Sequence, residues 1–191
     1  KESNFSKFVS IFAETSSNRC ETEPEKVNTC GESRYFMARG FEKQTLEYFN
    51  VEDCIDKKSP MYNRSIIPVH CDHGIKIAYI ARSTKDYIVP KYLFSKNFKK
   101  SDYLYNHHRA IDKTKEKSCM FLVEGQGDVW RLYEAGIKNC VGLFGKDIST
   151  QQKRKLIQSG ATTLVVLTDN DQAGREAKVK IQRDLNRMFS L

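Results

Sequence analysis

Phe121-Leu-Val-Glu124-Gly-Gln-Gly-Asp128 and Leu164-Val-Val-Leu-Thr-Asp169-Asn-Asp171-Gln-Ala-Gly174 each run from a short aliphatic stretch straight into carboxylates and glycine. A continuous apolar run marks a strand covered on both faces, as in a parallel sheet, and in such sheets ligands collect beyond the carboxyl ends of the strands. Glu124, Asp128, Asp169 and Asp171 therefore belong at one rim. Four carboxylates gathered there repel one another unless a cation neutralises them, and a set of hard oxygen donors favours Mg2+ or Mn2+. The pattern points to phosphoryl transfer. Asp169 and Asp171 point to one side of an extended turn, Asp128 completes the site, and Glu124 is either a ligand or the general base.

Working outward, the last third of the chain alternates cleanly. Strands are expected at 120–123, 139–144 and 162–167, and helices at 128–135, 149–158 and 172–189. Val129, Leu132 and Tyr133 form one apolar stripe, and Ala177, Ile181, Leu185 and Met188 another. Ser149 is placed to cap the middle helix and Gly160 to stop it. Strand-helix alternation of this length gives a parallel α/β sheet with right-handed crossovers, flanked by helices.

The preceding half reads differently. Residues 1–33, rich in Ser, Glu, Asn and Thr, are expected to be an arm or linker, with a short amphipathic stretch through Phe5, Phe8, Val9 and Phe12. From Ser33 two helical stretches are broken at Gly40. Ser65–Cys71 and Ile75–Ala81, β-branched and alternating, flank the turn Asp72-His73-Gly74 and make a hairpin, with His70 and His73 read as turn residues. The expected organisation is thus an arm (1–33), a smaller basic α+β subdomain (34–117) and an α/β catalytic subdomain (118–191).

The chain has 191 residues and a formal net charge of +8, with a pI near 9.1. Residues 85–117 hold nine Lys/Arg against four Asp/Glu, a surplus of five out of that +8. Tyr87, Tyr92, Phe94, Phe98, Tyr103 and Tyr105 are interleaved with these cations. Ring faces beside phosphate-holding cations suit single-stranded nucleic acid. An acidic rim in a basic protein suits a polyanionic partner. No apolar stretch approaches the roughly 20 residues of a membrane span, so the expected location is the cytoplasm, with no membrane partner. The six cysteines are scattered and read as reduced thiols; Cys20, Cys30 and the His70-Cys71-Asp72-His73 cluster lack the short cysteine spacing of a zinc site.

Glu124-Gly-x-x-Asp128, a strand-helix interval, and Asp169-x-Asp171-x-x-Gly174 together resemble the Toprim fold shared by DnaG-type primases, type IA and type II topoisomerases and some nucleases. Asp169-Asn-Asp171-Gln-Ala-Gly174-Arg is similar to the primase variant, as is Gly145-Lys-Asp-Ile148-Ser-Thr-Gln-Gln152. The resemblance extends upstream through Arg39-Gly40-Phe41, Asn63-Arg64-Ser65-Ile66-Ile67-Pro68-Val69, Arg82, Pro90-Lys91-Tyr92-Leu93-x-Ser95 and Leu104-Tyr105-Asn106. These look like the RNA polymerase domain of bacterial and phage or mobile-element primases, covering about residues 34 to 189.

The resemblance implies a Toprim fold preceded by the basic subdomain, and a DNA-directed RNA polymerase using magnesium. Its implied partners are a single-stranded DNA template, ribonucleoside triphosphates and a replicative helicase in cis or in trans. It also implies that Arg39, Arg64, Arg82 and Lys91 guide template or nucleotide, with Tyr92, Ser95, Tyr105 and Asn106 as further contacts. The family fold continues past its last helix into a strand and an Asp-Pro-Asp-like turn, so the chain is expected to be a fragment or a shortened relative. Two other functions stay open at this point: a Toprim nuclease or topoisomerase-like fragment, and a nucleic-acid-binding module without activity of its own.

Overall fold

The computed structural model describes residues 24–191. The Phe5–Phe12 stretch and most of the expected arm fall outside these residues. The part of the arm that is described does not run free: Asn28 to Glu32 pairs with the chain around Asp53, through Cys30 N–H to Asp53 O (3.0 Å) and Asp53 N–H to Glu32 O (2.7 Å).

Ser33 caps helix α1 (Arg34–Ala38), and helix α2 (Lys43–Tyr48) follows after Gly40, whose φ of +83° makes the turn between them. Strands β1 (Glu52–Asp53), β2 (Arg64–His70), β3 (Lys76–Ser83) and β4 (Tyr92–Phe94) form an antiparallel sheet in that order. The hairpin read from the sequence is β2–β3, with Ile67 opposite Ile80 and a bulge at Val69/His70. A 3-10 turn (Lys100–Asp102) leads to helix α3 (His107–Lys117), which the sequence reading did not anticipate. Only His107, Ala110 and Thr114 of that helix are buried, so its apolar signal is nearly absent.

The last third follows the expected alternation: β5 (Cys119–Val123), α4 (Gln126–Glu134), β6 (Cys140–Gly142), α5 (Thr150–Gln158), β7 (Thr163–Val166) and α6 (Gln172–Leu185). All three strands are parallel, in the order β6-β5-β7, so β5 is central. Ser149 caps α5, with Gln152 reaching back to its amide, and Gly160 ends the helix at φ +81°.

Successive residues of β5 point to opposite faces, and each face has its own core. Met120 and Leu122 pack with Leu156, Leu164, Ile181 and Leu185 beneath α5 and α6. Phe121 and Val123 face the other way, into a core that also holds Trp130 and Val129 of α4, Phe36, Leu46 and Phe49 of the first helices, and Val69 and Ile80 of the hairpin. This second core joins the two subdomains. Among the described residues no helix is long and apolar enough to cross a membrane.

Candidate active site

The central position of β5 delivers Glu124 to the middle of the sheet edge. Leu122 pairs with Val166, and the Leu167 amide donates to Leu122 O at 2.9 Å, so the turn carrying Asp169 leaves the sheet beside Glu124. Burial raises the pKa of Glu124, and the charges of Asp169 and Asp128 raise it further against the opposing influence of the Asp169 amide and Lys146. Burial raises that of Asp128 as well; the Gly125 amide opposes this and the Asp169 charge adds to it. Three carboxylates thus sense one another across two strand ends. Glu124 Oε1 is buried without a hydrogen-bond partner.

Two of the acids have a structural duty as well. Asp128 Oδ2 accepts from the Gly125 amide at 3.0 Å, the half of a capping box that a glycine N-cap permits. Asp171 is the N-cap of α6, its Oδ1 accepting from the Gly174 amide at 2.6 Å. Asp171 thus stands at the head of its helix, two residues beyond Asp169.

The donor set fits a hard divalent cation: all oxygens, with one buried carboxylate oxygen unsatisfied. Among the described residues no three His, Cys, Asp or Glu side chains close into a ready cage. That openness is ordinary for Mg2+, which takes one or two carboxylates and completes its shell with water and substrate phosphates. Cys20 of the zinc alternative lies outside the described residues. Asp72 from the same set is instead bonded to His107 Nδ1 at 3.0 Å and to Lys155.

The basic residues separate into two groups. Arg39, Tyr35, Arg82 and Tyr92 form a ladder, with the Arg39 guanidinium 5.6 Å and that of Arg82 5.3 Å from the Tyr35 ring, and Arg82 5.1 Å from the Tyr92 ring. Arg39, Tyr92 and Lys91 are exposed. Arg64 is buried, donating to the carbonyls of Ala81 (3.2 Å) and Pro90 (2.9 Å), and burial followed by the charge of Arg82 presses its pKa down. It holds the Lys91 loop in place and keeps its positive charge close beneath the ladder.

Two expected contacts, Tyr105 and Asn106, are corrected by their surroundings, and a third, Ser95, is half-buried. Tyr105 is 3% exposed, and its hydroxyl accepts from Trp130 Nε1 at 3.0 Å. Asn106 is buried with its amide on Cys140 O at 3.0 Å. Ser95 Oγ takes the Tyr79 amide at 2.7 Å, extending the sheet. Tyr105 and Asn106 lie inside the fold and Ser95 serves the sheet, because a ring or amide flanked by cations is directed by the partner it can reach and not by its neighbours in sequence. Of the interleaved aromatics, Tyr87, Tyr92 and Phe94 face solvent, while Phe98 and Tyr103 pack on the shared core.

Sequence reasoning missed Tyr35, Arg131 and Lys146. Arg131 of α4 donates to Gly40 O (2.8 Å) and Arg39 O (3.0 Å), lies 4.0 Å over the Phe41 ring and pairs with Glu134, which accepts the Glu42 amide at 2.8 Å. Nothing local marks that residue as a clamp. Lys146 stands in the quoted Gly145-Lys-Asp stretch, and its position one strand away from Glu124 was the available signal.

Residues 118–189 match the Toprim domain family. The DNA primase of Mycoplasma pneumoniae is 34% identical over 172 residues, 85% of this chain and 25% of that protein. The crystal structure of the zinc-binding and RNA polymerase domains of the Aquifex aeolicus primase superposes with a TM-score of 0.68 at 25% identity, over 75% of this chain and 44% of that one. A DnaG primase catalytic domain bound to single-stranded DNA shares the fold with a TM-score of 0.66 at 20% identity, over 80% of this chain and 58% of that one. The chain spans about a quarter of the length of the curated relatives it matches.

The carboxyl-terminal third of the molecule is therefore a Toprim domain. More narrowly, it is a Toprim domain of the DnaG primase type, and the likeness takes in the basic α+β half as well.

Proposed function

We propose that this chain is the catalytic core of a DNA primase, a nucleotidyltransferase that joins ribonucleotides into short RNA on a single-stranded DNA template with Mg2+ or Mn2+. The observation that carries this reading is the unpartnered, buried Oε1 of Glu124 beside Asp128 and Asp169 at the carboxyl edge of a parallel sheet. In the reaction a 3′ oxygen forms a bond to the α-phosphorus, the bond to pyrophosphate breaks, and the hydroxyl proton leaves. Asp169, Asp128 and Asp171 would hold the cation. Glu124 would share it or accept the proton, a role its raised pKa suits. When bound, the cation supplies charge neutralisation and acidifies the attacking hydroxyl.

Arg39, Lys91 and Tyr92 would carry the template, the two cations holding phosphates and the Tyr92 ring stacking on a base, while Arg82, buried against the Tyr35 and Tyr92 rings with its guanidinium on Ser83 O, would support them from beneath. The relatives' names and the DNA-bound neighbour support this reading. A replicative helicase is the proposed partner of the whole protein.

The test is incubation with single-stranded DNA, labelled ribonucleotides and Mg2+ or Mn2+. Short RNA is the expected product; cut DNA would indicate a nuclease, and binding without product an inert module. Asp169→Asn and Glu124→Gln should each lower synthesis by at least about a hundredfold with unchanged melting. Full synthesis by both variants would refute the assignment.

A further inference from the structure

The loop after β6 is built for more than connection. The Leu143 amide donates to Val123 O at 3.0 Å, and a Cβ on Gly142 would stand 3.3 Å from Gly125 O, so this strand end lies flush against the Glu124 turn. Phe144 then takes a φ of +62°, a left-handed conformation that a bulky side chain adopts only under constraint. Its ring is held 5.5 Å from Phe98 and 6.1 Å from Tyr105. Strain of this kind collects at ligand-binding turns, and here it reverses the chain so that Gly145-Lys146 emerges at the acidic rim.

A second cation arrives from the other subdomain. Lys100 Nζ lies 3.9 Å from the point a Cβ on Gly145 would occupy. Its turn is anchored: the Gln152 amide donates to Tyr103 O (2.9 Å), Leu143 O (3.0 Å) and Lys100 O (3.3 Å), and Ser149 Oγ to Ser101 O (2.5 Å). The neighbouring acid, Asp147, is taken by Lys180 at 2.6 Å, and neither Lys146 nor Lys100 forms an ion pair among the described residues. Lys146, whose charge reaches Glu124, and Lys100, which flanks the same loop and also acts on Asp147, suit a ligand that is itself strongly anionic and shares the rim with a cation, which is the description of a polyphosphate.

We propose that Lys146 binds the outer phosphates of the incoming nucleoside triphosphate, with Lys100 supporting it from across the loop. This rests on the primase reading above and adds a nucleotide contact on the β6–α5 loop. The charge that Lys146 contributes near Glu124 agrees with it.

The experiment is equilibrium binding of a fluorescent ribonucleoside triphosphate to the full chain in Mn2+, with single-stranded DNA binding measured in parallel. Lys146→Ala should weaken triphosphate binding by at least about tenfold, Lys146→Arg should restore most of it, and DNA affinity should stay unchanged. Lys146 is exposed, so folding is not at stake. If the wild-type chain binds triphosphate and Lys146→Ala binds it equally well, this inference fails and the primase reading stands. Equal losses for triphosphate and DNA would also overturn it, making Lys146 a general phosphate contact. If the wild-type chain binds no triphosphate, both fall.

Discussion

The backbone of Asp169 fills the space that a side chain on Gly174 would need: a Cβ there would stand 2.1 Å from Asp169 O and 3.0 Å from its nitrogen. Gly174 has ordinary helical geometry at the start of α6, so its role is close approach and not conformational freedom. Gly174→Ala must push the Asp169 turn off the rim. The expected result is a loss of about 1–3 kcal/mol in urea unfolding, together with Mn2+ affinity lowered by at least tenfold. Unchanged Mn2+ binding would show that Asp169 does not need this seat.

Arg131 gives a second prediction. It ties the helix that starts beside Glu124 to the turn that carries Arg39, at 2.8 and 3.0 Å. Arg131→Met keeps the stem over Phe41 but loses both bonds and the Glu134 pair, at a cost of about 1–2 kcal/mol given its half-exposed position. DNA affinity should fall with it, since Arg39 is no longer held. Arg131→Lys should recover little, because one ammonium cannot reproduce the fork.

Tyr105 separates a structural aromatic from a nucleic-acid contact. Tyr105→Phe removes the acceptor of Trp130 Nε1 in a fully buried site, which costs about 1–3 kcal/mol. Calorimetry should show the lower melting temperature while DNA affinity stays unchanged. A loss of DNA affinity without loss of stability would reverse the assignment. Tyr92→Ala is expected to behave in the opposite way.

Acid should destabilise the protein through its histidines. Burial, with the Arg109 charge next, lowers both His70 and His108 to about 4 from an ordinary 6.5; Lys76 adds to the first, His70 and His107 to the second, and Asp72 opposes. Because the folded values lie below the unfolded one, the unfolded chain takes up protons first. Stability is full above about pH 6.5 and falls as the pH drops toward 4. Asp72 extends the decline: burial would raise its pKa, but bonds from His107 and Lys155 hold it well below the usual carboxylate range, so its contribution is lost only in stronger acid. Urea midpoints measured from pH 7.5 to 4 should decline, and His108→Gln should flatten the curve. A level wild-type profile would contradict this.

What could be read in advance depended on how local its cause was. The aliphatic runs ending at Glu124 and Asp169, the Ser149 cap and the hairpin around Gly74 are set by residues within a turn of each other, and the strands, helices and acidic rim followed from them. Helix α3 was missed because the residues it buries, His107, Ala110 and Thr114, keep helical spacing but carry little apolar signal in a mostly charged segment. The fate of Tyr105 was equally hidden, since Trp130, its partner, lies 25 residues away. So was the double duty of Asp128, which caps α4 while facing Asp169. The placement of Lys146 depends on an unusual backbone angle at Phe144 that no composition or spacing rule anticipates.

Trp130 sits in the Toprim domain yet is surrounded by Phe36, Phe41 and Phe49 from the other half, and Tyr105 pairs with Gly142 as if it were one more strand of the sheet. The stretch that matches a family by itself is consequently not a self-sufficient piece of matter. Cut out at Ser118, it would present a bare indole and an open sheet edge to water and would aggregate, whereas the joined halves should melt in a single cooperative step.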